Sequence, residues 1–218
     1  MQSNTYKPLK QYPQNQVEIQ YAEKQLSPAI EKEIKEGFFE IRKKFDGVGD
    51  TLQEMPEEVQ VYVSHLCLQN YHPIFCKFEL EAVKTFLSCS QIVYLNKMQT
   101  LFDSELNTGQ IYIILFGKLK LQTLDGRPLG QTLNIGWTAG EEILFKSTKK
   151  DENGFDHRVK QRRDTKCFAS TDSCVLGFEK KALRLIKQQL EQKGMSDEFR
   201  KLEVIIRGNY LVKKQWRQ

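Results

Sequence analysis

Gly140, Glu141 and Glu142, two adjacent carboxylates behind a glycine in the stretch IGWTAGEEILF (135–145), are the residues of this chain best suited to chemistry. Glycine lets a backbone N–H come close to a ligand, and a carboxylate beside it can accept hydrogen bonds from sugar hydroxyls. The same stretch also reads as a β-turn between two barrel strands. Trp137 within it suits stacking on a purine as well as a place in the core or at a rim, and Trp216 suits either a pocket cap or a docking contact. The three histidines, His65, His72 and His157, do not pair on adjacent strands as a metal site in a roll would require, so packing or surface roles are expected. No Ser/His/Asp or Cys/His pattern accompanies the strands, so neither a catalytic residue nor a metal site is expected, and the chain reads as a non-enzyme.

What must position these residues is a chain of 218 residues and 25.5 kDa, enough for one domain of ordinary size plus extensions. No apolar run approaches the roughly 18–20 residues of a membrane helix, and MQSNTYKPLKQYPQNQ has no apolar core of a secretory signal. Five cysteines lie scattered without a CxxC pair, which argues for reduced thiols in an intracellular compartment. The net charge of +5 is uneven: residues 146–163 and residues 193–218 each hold seven Lys/Arg against three Asp/Glu. Such segments suit an acidic partner or a solvated face, and no DNA-docking element accompanies them.

Residues 1–26, rich in Gln, Asn and Tyr with Pro8 and Pro13, read as an extended arm. SPAIEKEIKEGFFEIRKKF then predicts a helix capped by Ser27, with Ile30, Ile34, Phe38, Ile41 and Phe45 on one stripe. A second helical block starts at MPEEVQVYVSHL, and KFELEAVKTFLSC predicts a further helix with Leu80, Val83, Phe86 and Leu87 inward. From Gln91 the period changes to two. QIVYL, TLF, IYIILF, KLKLQTL, QTLNI, KCFAS and CVLGF are short β-rich runs, and Asp125-Gly126 is a hairpin turn between Leu119/Leu121 and Leu129 or Leu133. An eight-stranded antiparallel roll over about residues 90–178 follows, an α+β fold with a β jelly roll flanked by N- and C-terminal helices. EKKALRLIKQQLEQKG stops at Gly194, and a last helix restarts with Ser196 as its cap. The expected division is 1–54 arm plus amphipathic helix, 55–195 roll domain and 196–218 C-terminal helix.

The order of these words resembles the cyclic nucleotide-binding domain of protein kinase A regulatory subunits and cyclic-nucleotide-gated channels, over roughly residues 55–190. IYIILFGKLKL is similar to that family's Y-I-I-x-x-G-x-V-x-V strand, with Tyr112, Gly117, Leu119 and Leu121 in step. GWTAGEEIL is similar to its G-D-x-F-G-E-x-A-L phosphate-binding cassette, and RDTKCFASTDSCVLGF to its R-x-A-T-V-x-A-x-T-D-C-x-L run, with Arg163, Ala169, Thr171, Asp172 and Val175 in register. The resemblance implies a cAMP or cGMP ligand, with Glu141 on the ribose hydroxyl, Gly140 and Glu142 as backbone donors, Arg163 on the cyclic phosphate and Thr165 lining its pocket. A guanidinium fork plus N–H groups suits a compact monoanion.

The chain departs from that pattern at definite positions. Ala139 stands for the family's phenylalanine, Trp137 for its aspartate, Glu105 for a glycine, and Thr165 and Lys166 for the pair after the arginine. Eighteen residues, FKSTKKDENGFDHRVKQR, separate Leu144 from Arg163, a longer gap than the family's, and Lys146 to Arg162 among them are expected as a solvent-facing loop or partner-binding arm. Two function classes follow. One is a cofactor-free interaction subunit, holding protein partners in a larger assembly through residues 1–45 and the basic segments 146–163 and 193–218. Its expected place is the cytoplasm, in a cilium or axoneme or on the cytoskeleton, where free-standing domains of this kind occur. The other is a cyclic nucleotide-responsive module in which the helix after Ser196 closes as a lid.

Overall fold

A strand buried on every residue needs cover on both faces, and IYIILF meets that condition because apolar residues fill both phases of its alternation. The computed structural model describes residues 36, 72–104, 109–145, 147–150, 156–159, 163 and 165–217. The arm, the block from residue 55 and, apart from the helical Glu36, the helix expected over 27–45 lie outside these. The strands are β1 (Gln91–Leu95), β2 (Thr100–Phe102), β3 (Gln110–Phe116), β4 (Leu119–Thr123), β5 (Pro128–Leu133), β6 (Thr138–Ala139), β7 (Ser147–Lys150), β8 (Asp156–Val159), β9 (Thr165–Ala169) and β10 (Ser173–Glu179). The helices are α1 (Leu80–Ser88), α2 (Lys180–Gln192) and α3 (Ser196–Gln215), with short 3-10 turns at Phe75–Lys77 and Glu141–Leu144.

Two four-stranded antiparallel sheets, ordered β1-β10-β3-β6 and β2-β9-β4-β5, make the roll. Ile111, Ile113 and Leu115 of β3 face one apolar cluster with Phe86 of α1, Ile186 of α2 and Phe199 of α3. Tyr112 and Ile114 face the other, between the sheets, with Phe102, Leu119 and Leu133. The described residues are therefore layered as helices, sheet, sheet, with β3 and β10 the two inner strands of the first sheet.

The hairpin is as the sequence predicts: Leu119 pairs Leu133, Leu121 pairs Leu129, and Gly126 takes φ +89 in the turn. Gly194 ends α2 at φ +72, with the Met195 N–H donating to the Leu190 carbonyl across the break. Other expectations are corrected. Leu80 is 46% exposed, because the side chain of a first helical residue tilts back past the helix start. Ser196 is the first helical residue, not the cap; Met195 holds that place and no side chain caps the helix, while Asp197 and Glu198 face the dipole. The segment expected as a loop or arm after Leu144 forms the β7–β8 hairpin, Ser147 to Val159 and Lys150 to Asp156, which joins neither sheet. An excursion of this length satisfies its backbone groups most simply by pairing with itself.

His72 is buried, as a packing residue. Its Nε2–H donates to the Ile114 carbonyl at 2.8 Å, while Nδ1 accepts the N–H groups of Ile74 and Phe75 at 3.2 and 3.3 Å. Burial pulls its pKa from 6.5 down to about 4, against the opposing bond to Ile114. Because the folded pKa lies below the unfolded one, the unfolded chain binds the proton first. Stability is then whole above pH 6.5 and is lost as pH falls toward 4, by roughly 3 kcal/mol in all. Urea midpoints at pH 7 and pH 4.5 should show a drop that the His72→Gln variant lacks; an equal drop in both proteins would refute the assignment.

Candidate functional site

Gly140 begins the site. It takes φ +82 immediately before the 3-10 turn Glu141–Leu144, and a Cβ there would lie 2.6 Å from Arg163 Nη1 and 2.7 Å from the Gln110 carbonyl oxygen. Only glycine permits this turn to lie so close to the guanidinium. The turn carries Glu141 and Glu142 inward, β9 brings Thr165, and Arg163 enters just ahead of β9, so the five residues singled out in the sequence gather at one end of the roll.

Once gathered, they are engaged with one another and with α3. Arg163 donates from Nη1 to Glu142 Oε1 at 3.0 Å and from Nη2 to the Gln110 carbonyl at 2.7 Å, and its guanidinium lies 3.7 Å from the centre of the Phe102 ring. Glu141 accepts from the Thr138 hydroxyl and from the Lys213 ammonium, and Lys213 also donates to the Thr138 carbonyl at 2.5 Å. Arg163 and Glu141 are 1% exposed, Glu142 4% and Lys213 5%. Two carboxylates and two cations thus lie dry and sum to zero charge. That balance is the condition on which buried ions are tolerated.

The space left among Glu141, Glu142, Thr165, Tyr210 and Lys213 measures about 10 Å³, the room of roughly one water molecule. Thr165 Oγ1 is buried there without a hydrogen-bond partner. Behind the charges, burial pushes the Cys167 thiol up to about 12, so it stays protonated and unreactive. No cluster of three His, Cys, Asp or Glu suited to a metal occurs among the described residues.

α3 closes the mouth. Tyr210 stacks on Phe145 with ring centres 4.1 Å apart and planes at 22°. Trp216 meets Trp137 at 5.4 Å and covers Gly130, where any Cβ would come within 2.1 Å of the indole. Trp137 and Trp216 are both partly buried against the cluster between the sheets, and neither lines the space beside Glu141.

Lys213 is the site residue that the sequence reading missed, and a signal for it exists. Phe199, Leu202, Ile206, Asn209 and Lys213 recur at helical spacing on one face of α3, and all five are buried. A lysine on the apolar stripe of a helix must meet a counter-charge inside, and Glu141 is that charge.

No protein-family model matches the sequence, and no curated protein matches it. Among solved structures, the chain is similar to a cyclic nucleotide-binding domain from Methylobacillus flagellatus KT, at 16% identity and TM-score 0.48, over 72% of this chain and 83% of that one. It is similar to cAMP-bound PfPKA-R at 12% identity and TM-score 0.46, over 68% of this chain and 48% of that one. It is also similar to the Thermus thermophilus catabolite activator protein at 18% identity and TM-score 0.41, over 69% and 57%. The chain thus spans about half the length of the last two. The strand order and pairing of the chain itself establish an antiparallel jelly roll with flanking helices, and the solved structures it is similar to include cyclic nucleotide-binding domains.

Proposed function

We propose that this chain is a non-catalytic module of the cyclic nucleotide-binding type whose pocket is sealed by its own side chains, and that it works through its surfaces as an interaction subunit. The observation that supports the reading is the internal pairing of the four buried charges at the site, Glu141 with Lys213 and Glu142 with Arg163. A monoanionic ligand would have to displace one carboxylate from its cation and move α3. Breaking one such buried pair costs about 3–5 kcal/mol, which would lower an apparent affinity by roughly two to three and a half orders of magnitude.

The orphan hydroxyl of Thr165 supports a second reading, in which α3 opens and a cyclic nucleotide enters beside Glu141 and Arg163. Calorimetric titration of the full chain with cAMP and cGMP separates the two. The sealed pocket gives no saturable heat up to about 1 mM ligand, the regime of −4 kcal/mol binding. Micromolar binding of either nucleotide would remove the first reading in favour of the second.

A further inference from the structure

Both sheets converge on the Arg163 guanidinium. Gln110, the first residue of β3, accepts from Nη2 through its carbonyl, and Phe102, the last residue of β2, places its ring centre 3.7 Å from the guanidinium carbon. β3 lies in one sheet and β2 in the other, and Arg163 itself leads into β9. The carboxylate partner has a different origin. Glu142 sits on the short 3-10 turn Glu141–Leu144, behind Gly140 in its left-handed conformation, and accepts from Nη1 at 3.0 Å. The framework thus holds the guanidinium, and a turn delivers the anion. A guanidinium presents a planar fork that matches a carboxylate. Beside the pair, Phe102, Glu142 and Thr165 line the space of about 10 Å³, and the buried Thr165 hydroxyl has no hydrogen-bond partner.

We infer, resting on the sealed-pocket reading above, that Arg163 heads an anion site whose occupant is the chain's own Glu142 carboxylate. Glu142 is then a tethered ligand, and a free small carboxylate takes its place when the tether is cut. The atoms that Glu142→Ala removes, one methylene and one carboxylate, are those of an acetate ion, and formate is smaller still. The Thr165 hydroxyl lines the same space and can donate its O–H to a carboxylate that is free to rotate. A neutral ligand does not fit, because the shortened side chain leaves the guanidinium charge unanswered in a dry site. In the parent protein the tethered carboxylate acts at an effective concentration that a dissolved ion must exceed to displace it. A module built this way keeps one pocket state whatever the level of small soluble anions, which makes it a constitutive subunit rather than a switch.

The test is thermal melting of the full-length Glu142→Ala chain in sodium formate, sodium acetate or sodium chloride at equal ionic strength. Formate and acetate at about 100 mM are expected to raise the midpoint by at least about 3 °C over chloride, with a saturating dose response in the millimolar range. The parent and Glu142→Gln, whose longer side chains fill the space, should show no such difference. Neither should Arg163→Met/Glu142→Ala, which lacks the guanidinium, whereas a general salt effect would move all four proteins alike. Should Glu142→Ala fail to fold in chloride, return of a cooperative melt in formate supports the proposal, and no return overturns it. Equal midpoints in the three salts, or a formate response that persists without Arg163, would overturn it as well. Titration of the parent with cAMP and cGMP judges the sealed-pocket reading separately. A parent silent to nucleotide together with a Glu142→Ala chain indifferent to formate removes the tethered ligand alone, so the two failures are distinguishable.

Discussion

Replacing Arg163 with alanine is expected to lower the unfolding free energy by about 3–5 kcal/mol, because it strands the Glu142 carboxylate in a dry site. The Gln110 carbonyl loses a donor, and Phe102 loses the guanidinium that covers its ring. In a domain of this size the midpoint of thermal melting should fall by roughly 6–20 °C. Removing the charge on both sides, as Arg163→Met with Glu142→Gln, should recover most of the loss, since an apolar or neutral pair of similar volume often replaces a buried ion pair without penalty. The measurement is a set of melts on the single and double variants. A loss under about 1 kcal/mol for Arg163→Ala would mean that the guanidinium is not the buried half of an ion pair.

The second large effect is expected at Lys213. Lys213→Met leaves Glu141 with the Thr138 hydroxyl as its remaining partner, and a loss of about 3–5 kcal/mol is expected from the same uncompensated charge. Glu141→Gln combined with Lys213→Met should restore much of it. This site bears on function as well as stability. Under the sealed-pocket reading, calorimetry of the folded Lys213→Met protein still shows no cyclic nucleotide binding, because Arg163 remains engaged by Glu142 and the Gln110 carbonyl. Submillimolar cAMP or cGMP binding to the parent protein that tightens when Lys213 is gone would identify the lysine as a displaceable latch and overturn the sealed reading.

Much of the roll was legible because its determinants are local. QIVYL and TLF are β1 and β2 residue for residue, and IYIILF lies within β3. Asp125-Gly126 specifies the turn that sets the β4–β5 register, since glycine accepts the positive φ that a tight turn requires. Gly194 ends α2 for the same reason. The hairpin β7–β8 was not legible, because its charged residues offer none of the apolar alternation by which a strand is recognised.

The sequence by itself determined strands β1 to β3 and the turns at Gly126 and Gly194, because period and turn chemistry are short-range properties, and its resemblance to the cyclic nucleotide-binding domain singled out the five residues that the structure gathers. Only the tertiary structure decided what those residues touch. Lys213 reaches Glu141 across 72 positions, and Arg163 reaches Gln110 across 53. Neither pairing has a local signature; each exists because α3 packs over the sheet and points the last residue of its buried stripe into the pocket. Whether a carboxylate waits for a ligand or is already answered depends on that packing, since a desolvated charge must take the nearest counter-charge the fold provides.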